Sequence, residues 1–360
     1  MIKEVIAKVA EGNNLTEEEM GSAMDEILSG KATPAQIGAL VMGLRMKGET
    51  VDEITGAAKL MREKATKVDL DNNLVNIDRD EINVEDETIL DTCGTGGDGT
   101  NTFNVSTATA FVASGGGIKV AKHGNRAVSS LCGSADVLEK LGVVLDIKPS
   151  DVERCIREVG IGFLYAPLFH GAMKHAAGPR REIGVRTIFN LLGPLTNPAG
   201  ASVQVLGVYK KDLTEKIAHV LKRMGTKETF VVCGEGTFDE ISICGPTQIS
   251  HLKSNKVNTF NVIPEDFGME RASPDDIKGG NSEANAKIIR NILDGEKGPR
   301  RNMVLLNTSA AFVVSGLAGG IEDGIKMAEK SIDSGKAKEK LDNLISLTKE
   351  LARSDGKESL

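Results

Sequence analysis

Residues 91–107, DTCGTGGDGTNTFNVST, set Gly94, Gly96, Gly97 and Gly99 between an apolar run and a cluster of Asn, Ser and Thr. Glycines let a backbone turn sharply and let N–H groups approach a ligand with no side chain in the way. A run of such N–H groups feeding a helix start is an anion site, suited to phosphate or pyrophosphate. The stretch is not a Walker A loop, because no Lys-Ser/Thr follows the glycines. A tight strand-to-helix turn would use the same glycines. Asp98, an acidic residue inside the loop, is the feature that an anion site alone does not explain.

A second stretch, KHGNRAVSSLCGSADVLE from Lys122, offers Lys122, His123, Asn125 and Arg126 with Ser129, Ser130 and Ser134. Lys and Arg are phosphate ligands, and hydroxyls and glycine N–H groups add donors. The alternative is a solvated basic loop. Two such loops at neighbouring strand ends point to a two-phosphate site. In GTFDEISICG, Asp239 and Glu240 are adjacent carboxylates; Mg²⁺ takes one or two carboxylates plus water and phosphate oxygens, although surface charge has the same appearance. In GPRRE, Arg180 and Arg181 could grip a carboxylate through paired hydrogen bonds, or could be helix-face charge. The histidines at 123, 170, 175, 219 and 251 show no metal-ligand spacing. No Ser-His-Asp order or nucleophile elbow is present.

The elements that must hold these residues read as follows. TEEE at Thr16 and TVDE at Thr50 are capping boxes; Thr33 precedes Pro34 at a first helical position, and Gly30 and Gly48 close helices. Ile37, Leu40, Val41 and Leu44 repeat at helical spacing. Residues 66–87 are rich in Asp, Asn and Glu and read as a solvated linker. From Thr88 the pattern alternates. Strands are expected at TILDTC, IKVAKH, VVLDI, IGFLYA, VQVLGVY and TFVVCGE. Helices are expected at STATAFVASGG, SADVLEKLG, SDVERCIREVG (capped by Ser150) and LTEKIAHVLKRMG. Such alternation predicts a mostly parallel sheet with helices on both faces, and ligands in such sheets lie beyond the carboxyl ends of the strands. The stretch PLFHGAMKHAAGPRREIGVRTIFNLLG reads as basic helix that returns to the N-terminal unit as a cleft wall.

The 360 residues are 40% hydrophobic and 26% charged, which allows two domains and a large core. A net charge of −7 and 3% aromatic residues oppose nucleic-acid binding, which draws on basic patches and stacking platforms. The five cysteines have no C-x-x-C pair and no disulfide framework. MIKEVIAKVAEG breaks each apolar run with charge, unlike a signal peptide, and no run approaches membrane-spanning length. The expectation is a reduced cytoplasmic protein with neither membrane nor nucleic-acid partners.

GTGGDGTNTFNVST, KHGNRAVSSLCGSADVLE, HGAMKHAAGPRREIGVRTIFNLLGPLTNP and FDEIS together resemble the anthranilate phosphoribosyltransferase family of tryptophan biosynthesis. The similarity runs from ATPAQIGALVMGLRMKGET to GGNSEANAKIIRNILDG; residues 66–87 are the least family-like. The resemblance implies a homodimer formed through a small helical domain, residues 1–70 completed by helices from about 166–192. It implies a large α/β domain, 71–165 and 193–360, with the active site in the interdomain cleft. It also implies that the amine of anthranilate attacks C1 of phosphoribosyl pyrophosphate, that pyrophosphate leaves, and that Mg²⁺ is required. On this resemblance Gly94, Gly97, Asp98, Thr102, Asn104, Val105, Ser106 and Thr107 contact phosphoribosyl pyrophosphate. Lys122, His123, Gly124, Asn125, Arg126, Ala127, Val128, Ser129, Ser130 and Ser134 form its second loop. Gly94, Asn125 and Arg180 contact anthranilate, and Ser106, Asp239 and Glu240 hold Mg²⁺. Asp98, Lys122 and Arg180 are the expected catalytic residues. A pyrimidine nucleoside phosphorylase is the alternative enzyme, though its loops lack the KHGNR and GPRREIGVRT patterns. A non-catalytic nucleic-acid-binding relative is opposed by the acidic charge and by Asp239–Glu240.

Overall fold

The computed structural model describes residues 1–70, 88–97, 99–127 and 131–356. Most of the expected acidic linker, residues 71–87, and the loop residues Asp98, Val128, Ser129 and Ser130 lie outside the described residues.

Four helices open the chain: α1 (Ile2–Ala10), α2 (Glu17–Leu28), α3 (Pro34–Lys47) and α4 (Val51–Lys64). The side chains of Thr16, Thr33 and Thr50 accept from the N–H three residues on, and Glu19, Gln36 and Glu53 return the bond. Each box satisfies two N–H groups that a helix start leaves unpaired. Glu53 does more. It is fully buried, accepts from Leu15 N–H at 2.9 Å and Thr50 N–H at 2.8 Å, and pairs with Lys47 at 3.0 Å.

The α/β part begins with β1 (Ile89–Gly94), α5 (Val105–Gly115), β2 (Lys119–Gly124), α6 (Ser134–Leu141), α7 (Pro149–Glu158) and β3 (Ile161–Tyr165). Next come the short α8 (Ala166–Phe169), α9 (Lys174–Ile183) and α10 (Ile188–Leu192), then β4 (Val203–Gly207), α11 (Asp212–Arg223) and β5 (Glu228–Cys233). An antiparallel pair, β6 (Thr247–Lys253) and β7 (Lys256–Val262), precedes α12 (Ser282–Leu293), α13 (Pro299–Val314), α14 (Ile321–Asp333) and α15 (Lys336–Ser354). The sheet order is β3-β2-β1-β4-β5-β6-β7, parallel through β5 and antiparallel beyond it. The chain lays β2 and β3 on one side of β1 and then returns to lay β4 on the other. The crevice at β1 and β4 is therefore the topological switch point.

One core lies under α5–α7 and α12–α15. The other joins α1–α4 to α9, α10, α11 and the opposite sheet face. Ala176, Ile188 and Phe189 pack in that second core with Ile37, Leu40 and Leu44. Arg62 of α4 donates to the Leu195 carbonyl at 2.7 Å, and Lys216 of α11 donates to the Glu49 carbonyl at 2.7 Å.

Two local expectations change. VVLDI is not a strand: Val143, Leu145 and Ile147 are buried alternately, but the Val144 N–H goes to the Thr348 hydroxyl of α15. Alternation reported one buried face, and a helix rather than a strand supplies the partner. The α7 helix starts at Pro149 with Lys148 as its cap, not at Ser150, because proline is preorganised for the first helical position. Among the described residues no helix is long and apolar enough to cross a membrane.

Glu53→Ala would leave two buried N–H groups and the Lys47 ammonium without their acceptor. A loss of about 3 kcal/mol is expected, read as a lower urea midpoint with an unchanged m value.

Candidate active site

β1 and β2 pair at Ile89–Lys119 and Leu90–Val120, and no further. Beyond that point side chains replace the ladder. Asp91 accepts from the His123 N–H at 3.2 Å, and Lys122 donates its ammonium to the Thr92 carbonyl at 2.6 Å and the Ser106 hydroxyl at 3.2 Å. Asp91 and Lys122 are both buried. Burial raises the Asp91 carboxyl above its ordinary value, while Asn197, Lys122 and the His123 N–H pull it back. Burial likewise lowers the Lys122 ammonium, and Asp91 opposes that. Gln204 also reaches Asp91 and donates to the Pro194 carbonyl at 2.6 Å.

The glycine loop leaves β1 at its carboxyl end. Gly96, Gly97 and Gly99 all have positive φ, at 64°, 67° and 78°, where a side chain would be strained. Asp239 arrives from the segment after β5. A Cβ at Gly94 would collide with its carboxylate, and one at Gly207, opposite Gly94 in the β1–β4 ladder, with its carbonyl. The Asp239 carboxylate accepts from the Gly96 N–H at 2.7 Å, and the Glu240 carboxylate from the Ser106 N–H at 3.1 Å. The expected metal residues Ser106, Asp239 and Glu240 are thus brought together on the first loop. Two of the N–H groups read from sequence as free for phosphate are held instead by these carboxylates. Thr107 and Val105 point into the core, so their side chains are turned away from the loop surface.

The second loop leaves β2. Gly124 has no room for a Cβ against Ser134 and the Phe163 ring. Ser134 donates to the Asn125 carbonyl at 3.4 Å. Asp136 accepts from the Ala127 and Gly133 N–H groups, both at 2.9 Å, and closes the loop. Arg126 is engaged: it forms a two-pronged pair with Glu139, reaches Asp136, and donates to the Tyr165 hydroxyl. These partners hold its guanidinium above the ordinary range.

Arg180 differs from Arg126. Its guanidinium lies over the Phe189 ring at 5.2 Å, and burial lowers it, with no carboxylate opposing that shift. Among the described residues it has no hydrogen-bonded or ion-paired partner, which suits a guanidinium waiting for an acidic ligand. His123 and His170 stand 5.1 Å apart between their ring centres. Among the described residues neither Nε2 has a partner, while His123 Nδ1 donates to the Gly193 carbonyl.

Two residues that the sequence reading missed hold the site from behind. Asn307 of α13 is buried; it accepts from the Ile241 N–H and donates to the Ile241 carbonyl, both at 2.9 Å, directly after Asp239–Glu240. Asn285 of α12 donates to Asn104. Asn285 lies within GGNSEANAKIIRNILDG, which bears the resemblance but assigned it no role, and Asn307 is a polar residue on a largely buried helix with no motif around it.

Burial pushes the His123 imidazole down to about 3 and the His170 imidazole down to about 4. Both are neutral in the folded chain, whereas the unfolded chain takes up protons below about 6.5. Stability is therefore full above about pH 6.5 and falls as the pH drops toward the folded values. A loss of about 2 kcal/mol for each histidine by pH 5 is expected, and His170→Gln should remove its share in urea titrations at pH 7 and pH 5.

The glycosyl transferase family matches this chain twice, through its helical bundle domain at residues 3–65 and its a/b domain at residues 86–338. The anthranilate phosphoribosyltransferase of Geotalea uraniireducens (strain Rf4) is 58% identical over 350 residues, 97% of this chain and 100% of that one. That of Geobacter sulfurreducens is 55% identical with the same coverage. The crystal structure of anthranilate phosphoribosyltransferase from Thermus thermophilus aligns with a TM-score of 0.86 at 39% identity, covering 96% of this chain and 99% of that one. The Saccharomyces cerevisiae enzyme in complex with PRPP and Mg aligns at 0.85 and 30% identity, covering 96% and 97%. With this agreement in sequence, in both domains and in fold, the chain belongs to the anthranilate phosphoribosyltransferase family of glycosyl transferases.

Proposed function

We propose that this chain joins the amine of anthranilate to C1 of 5-phosphoribosyl 1-pyrophosphate, giving N-(5-phosphoribosyl)anthranilate and pyrophosphate in tryptophan biosynthesis, with Mg²⁺ as cofactor. The observation that carries the reading is the meeting of Asp239, Glu240 and Ser106 on the glycine loop at the sheet's switch point. This donor set is hard oxygen, and among the described residues no cluster of three His, Cys, Asp or Glu forms a closed metal cage. A partial oxygen set completed by phosphate oxygens and water fits Mg²⁺. An Mg²⁺ ion held there would supply positive charge against the charge that builds on the departing pyrophosphate.

The chain's own part is positioning and charge. The new bond forms from the amine nitrogen to C1 as the bond from C1 to the pyrophosphate oxygen breaks. Lys122 lies beneath the first loop, not out in it; it holds the Ser106 hydroxyl and places positive charge under the leaving group. The second loop, from Lys122 to Ser134, grips the phosphates through backbone N–H groups and hydroxyls. Asp98, Ser129 and Ser130 join the two loops in this proposal on sequence grounds. Arg180 takes the anthranilate carboxylate, with Asn125 and Gly94 beside it. An aromatic amine needs little activation, so orientation supplies much of the rate. The same reading includes a homodimer through the helical unit, where Met46 on α3 is 84% exposed.

Anthranilate fluorescence should fall when the protein is mixed with Mg²⁺, phosphoribosyl pyrophosphate and anthranilate; no loss at saturation would sink the assignment. Arg180→Ala should raise the KM for anthranilate by roughly 10- to 100-fold, the loss of a charge-assisted pair, and leave that for phosphoribosyl pyrophosphate within about twofold. An unmoved anthranilate KM removes the clamp. Sedimentation should give twice the chain mass, and Met46→Asp should shift it toward the monomer.

A further inference from the structure

The segment after the β6–β7 hairpin returns to the back of the first loop. Thr102 pairs with Lys278 in a short antiparallel bridge, flanked by Gly279 N–H to the Asn101 carbonyl at 2.8 Å and Phe103 N–H to the Ile277 carbonyl at 3.4 Å. Gly279 allows this approach, since a Cβ there would stand 2.7 Å from the Phe103 Cα. Asn281 then caps α12 by accepting from the Ala284 N–H at 2.9 Å.

Asn285, one turn into α12, is 1% exposed. Its Oδ1 accepts from the Gly280 N–H at 2.7 Å and its Nδ2 donates to Asn104 Oδ1 at 2.9 Å. Asn104 Nδ2 in turn donates to the Cys132 carbonyl at 3.1 Å. The chain of bonds starts at a backbone donor and ends at a backbone acceptor, so both amides are fixed in one orientation; flipping either would set oxygen against oxygen or N–H against N–H. Asn104 belongs to the first loop and Cys132 to the second. One buried amide therefore sets the spacing of the two loops.

We infer that Asn285 is a positioning residue for phosphoribosyl pyrophosphate, holding the two phosphate loops in register through Asn104 from the Ile277–Asn285 segment behind them. The inference rests on the proposed reaction for its ligand. Asn285 touches no substrate; it acts on the geometry of the loops. Its effect falls chiefly on the ligand that spans both loops and less on the acceptor, whose main hold is Arg180.

The discriminating variant is Asn285→Asp. Its carboxylate still accepts from the Gly280 N–H but cannot donate to Asn104, so the α12 anchor stays and the relay is cut. Asn104→Asp cuts the other arm, still accepting from Asn285 but no longer donating to Cys132. The expected result for Asn285→Asp is a rise of roughly tenfold or more in the KM for phosphoribosyl pyrophosphate. The anthranilate KM should rise less than the phosphoribosyl pyrophosphate KM, and the melting temperature should fall, because the buried carboxylate then faces Asn104 Oδ1. Calorimetric affinity for phosphoribosyl pyrophosphate with Mg²⁺ should fall in step. The Asn104→Ala/Asn285→Ala pair, which adds no charge, should cost less than the product of the single losses, because both changes break the same relay. Unchanged affinity in Asn285→Asp would overturn the inference, as would a lowered melting temperature with unaltered kinetic constants. A wild-type chain that bound phosphoribosyl pyrophosphate but did not consume anthranilate would overturn the acceptor assignment, and the relay would still be decided by calorimetry.

Discussion

The site depends on two buried groups of opposite charge, Asp91 and Lys122, at the place where β1 and β2 separate. Neither charge is favourable alone in a sheet interior; each has a desolvation cost that its partner and several hydrogen bonds must offset. Here the offset is also the architecture. Asp91 takes the His123 N–H and Lys122 takes the Thr92 carbonyl, so backbone groups beyond the end of the ladder are satisfied across the gap by side chains. Two neighbouring parallel strands can then send their loops apart without leaving the backbone between them unpaired. The opening between those loops is the space a phosphorylated ligand needs.

Around that opening the chain brings three carboxyl-end segments together by close backbone approach. Gly94 and Gly207 face one another across β1 and β4 and admit Asp239 between the strand ends. Asn307 fixes Ile241 immediately behind it. The loop amides and the helix start of α5 meet the Asp239 and Glu240 carboxylates. A glycine loop that reads as a simple anion hole is thus also the mould that orients the two carboxylates proposed for Mg²⁺. That explains why the loop company includes acidic groups at all.

The two arginines of the site show how context separates identical side chains. Arg126 is gripped by Glu139, Asp136 and Tyr165 and works as a brace for its loop. Arg180 lies on the Phe189 face and, among the described residues, meets no carboxylate. From the chain alone both are basic residues in polar surroundings, and Arg126 looks the better phosphate ligand. Its partners Glu139 and Tyr165 lie 13 and 39 residues away, and only packing reveals that its charge is already engaged.

Much was legible in the residues themselves. Helix starts at Thr16, Thr33 and Thr50 are local chemistry, a hydroxyl and a carboxylate or amide three residues apart, and they form as read. The alternation of strand and helix from Thr88 and the glycine loops at strand ends are likewise short-range patterns, as are the paired carboxylates at 239–240. What the chain could not disclose is long-range. The apolar alternation at 143–147 left open whether a strand or a helix would cover it, and α15 does. Asn285 and Asn307 had no role legible in the chain, because an amide's work is defined by the groups that reach it, and the Asn104 side chain and the Ile241 backbone lie 181 and 66 residues away. The sequence by itself determined the elements and the kinds of chemistry at their ends, since capping, turning and periodicity act within a few residues. Tertiary structure alone decided which charges are spent and which are free, because desolvation and pairing depend on what the fold brings alongside.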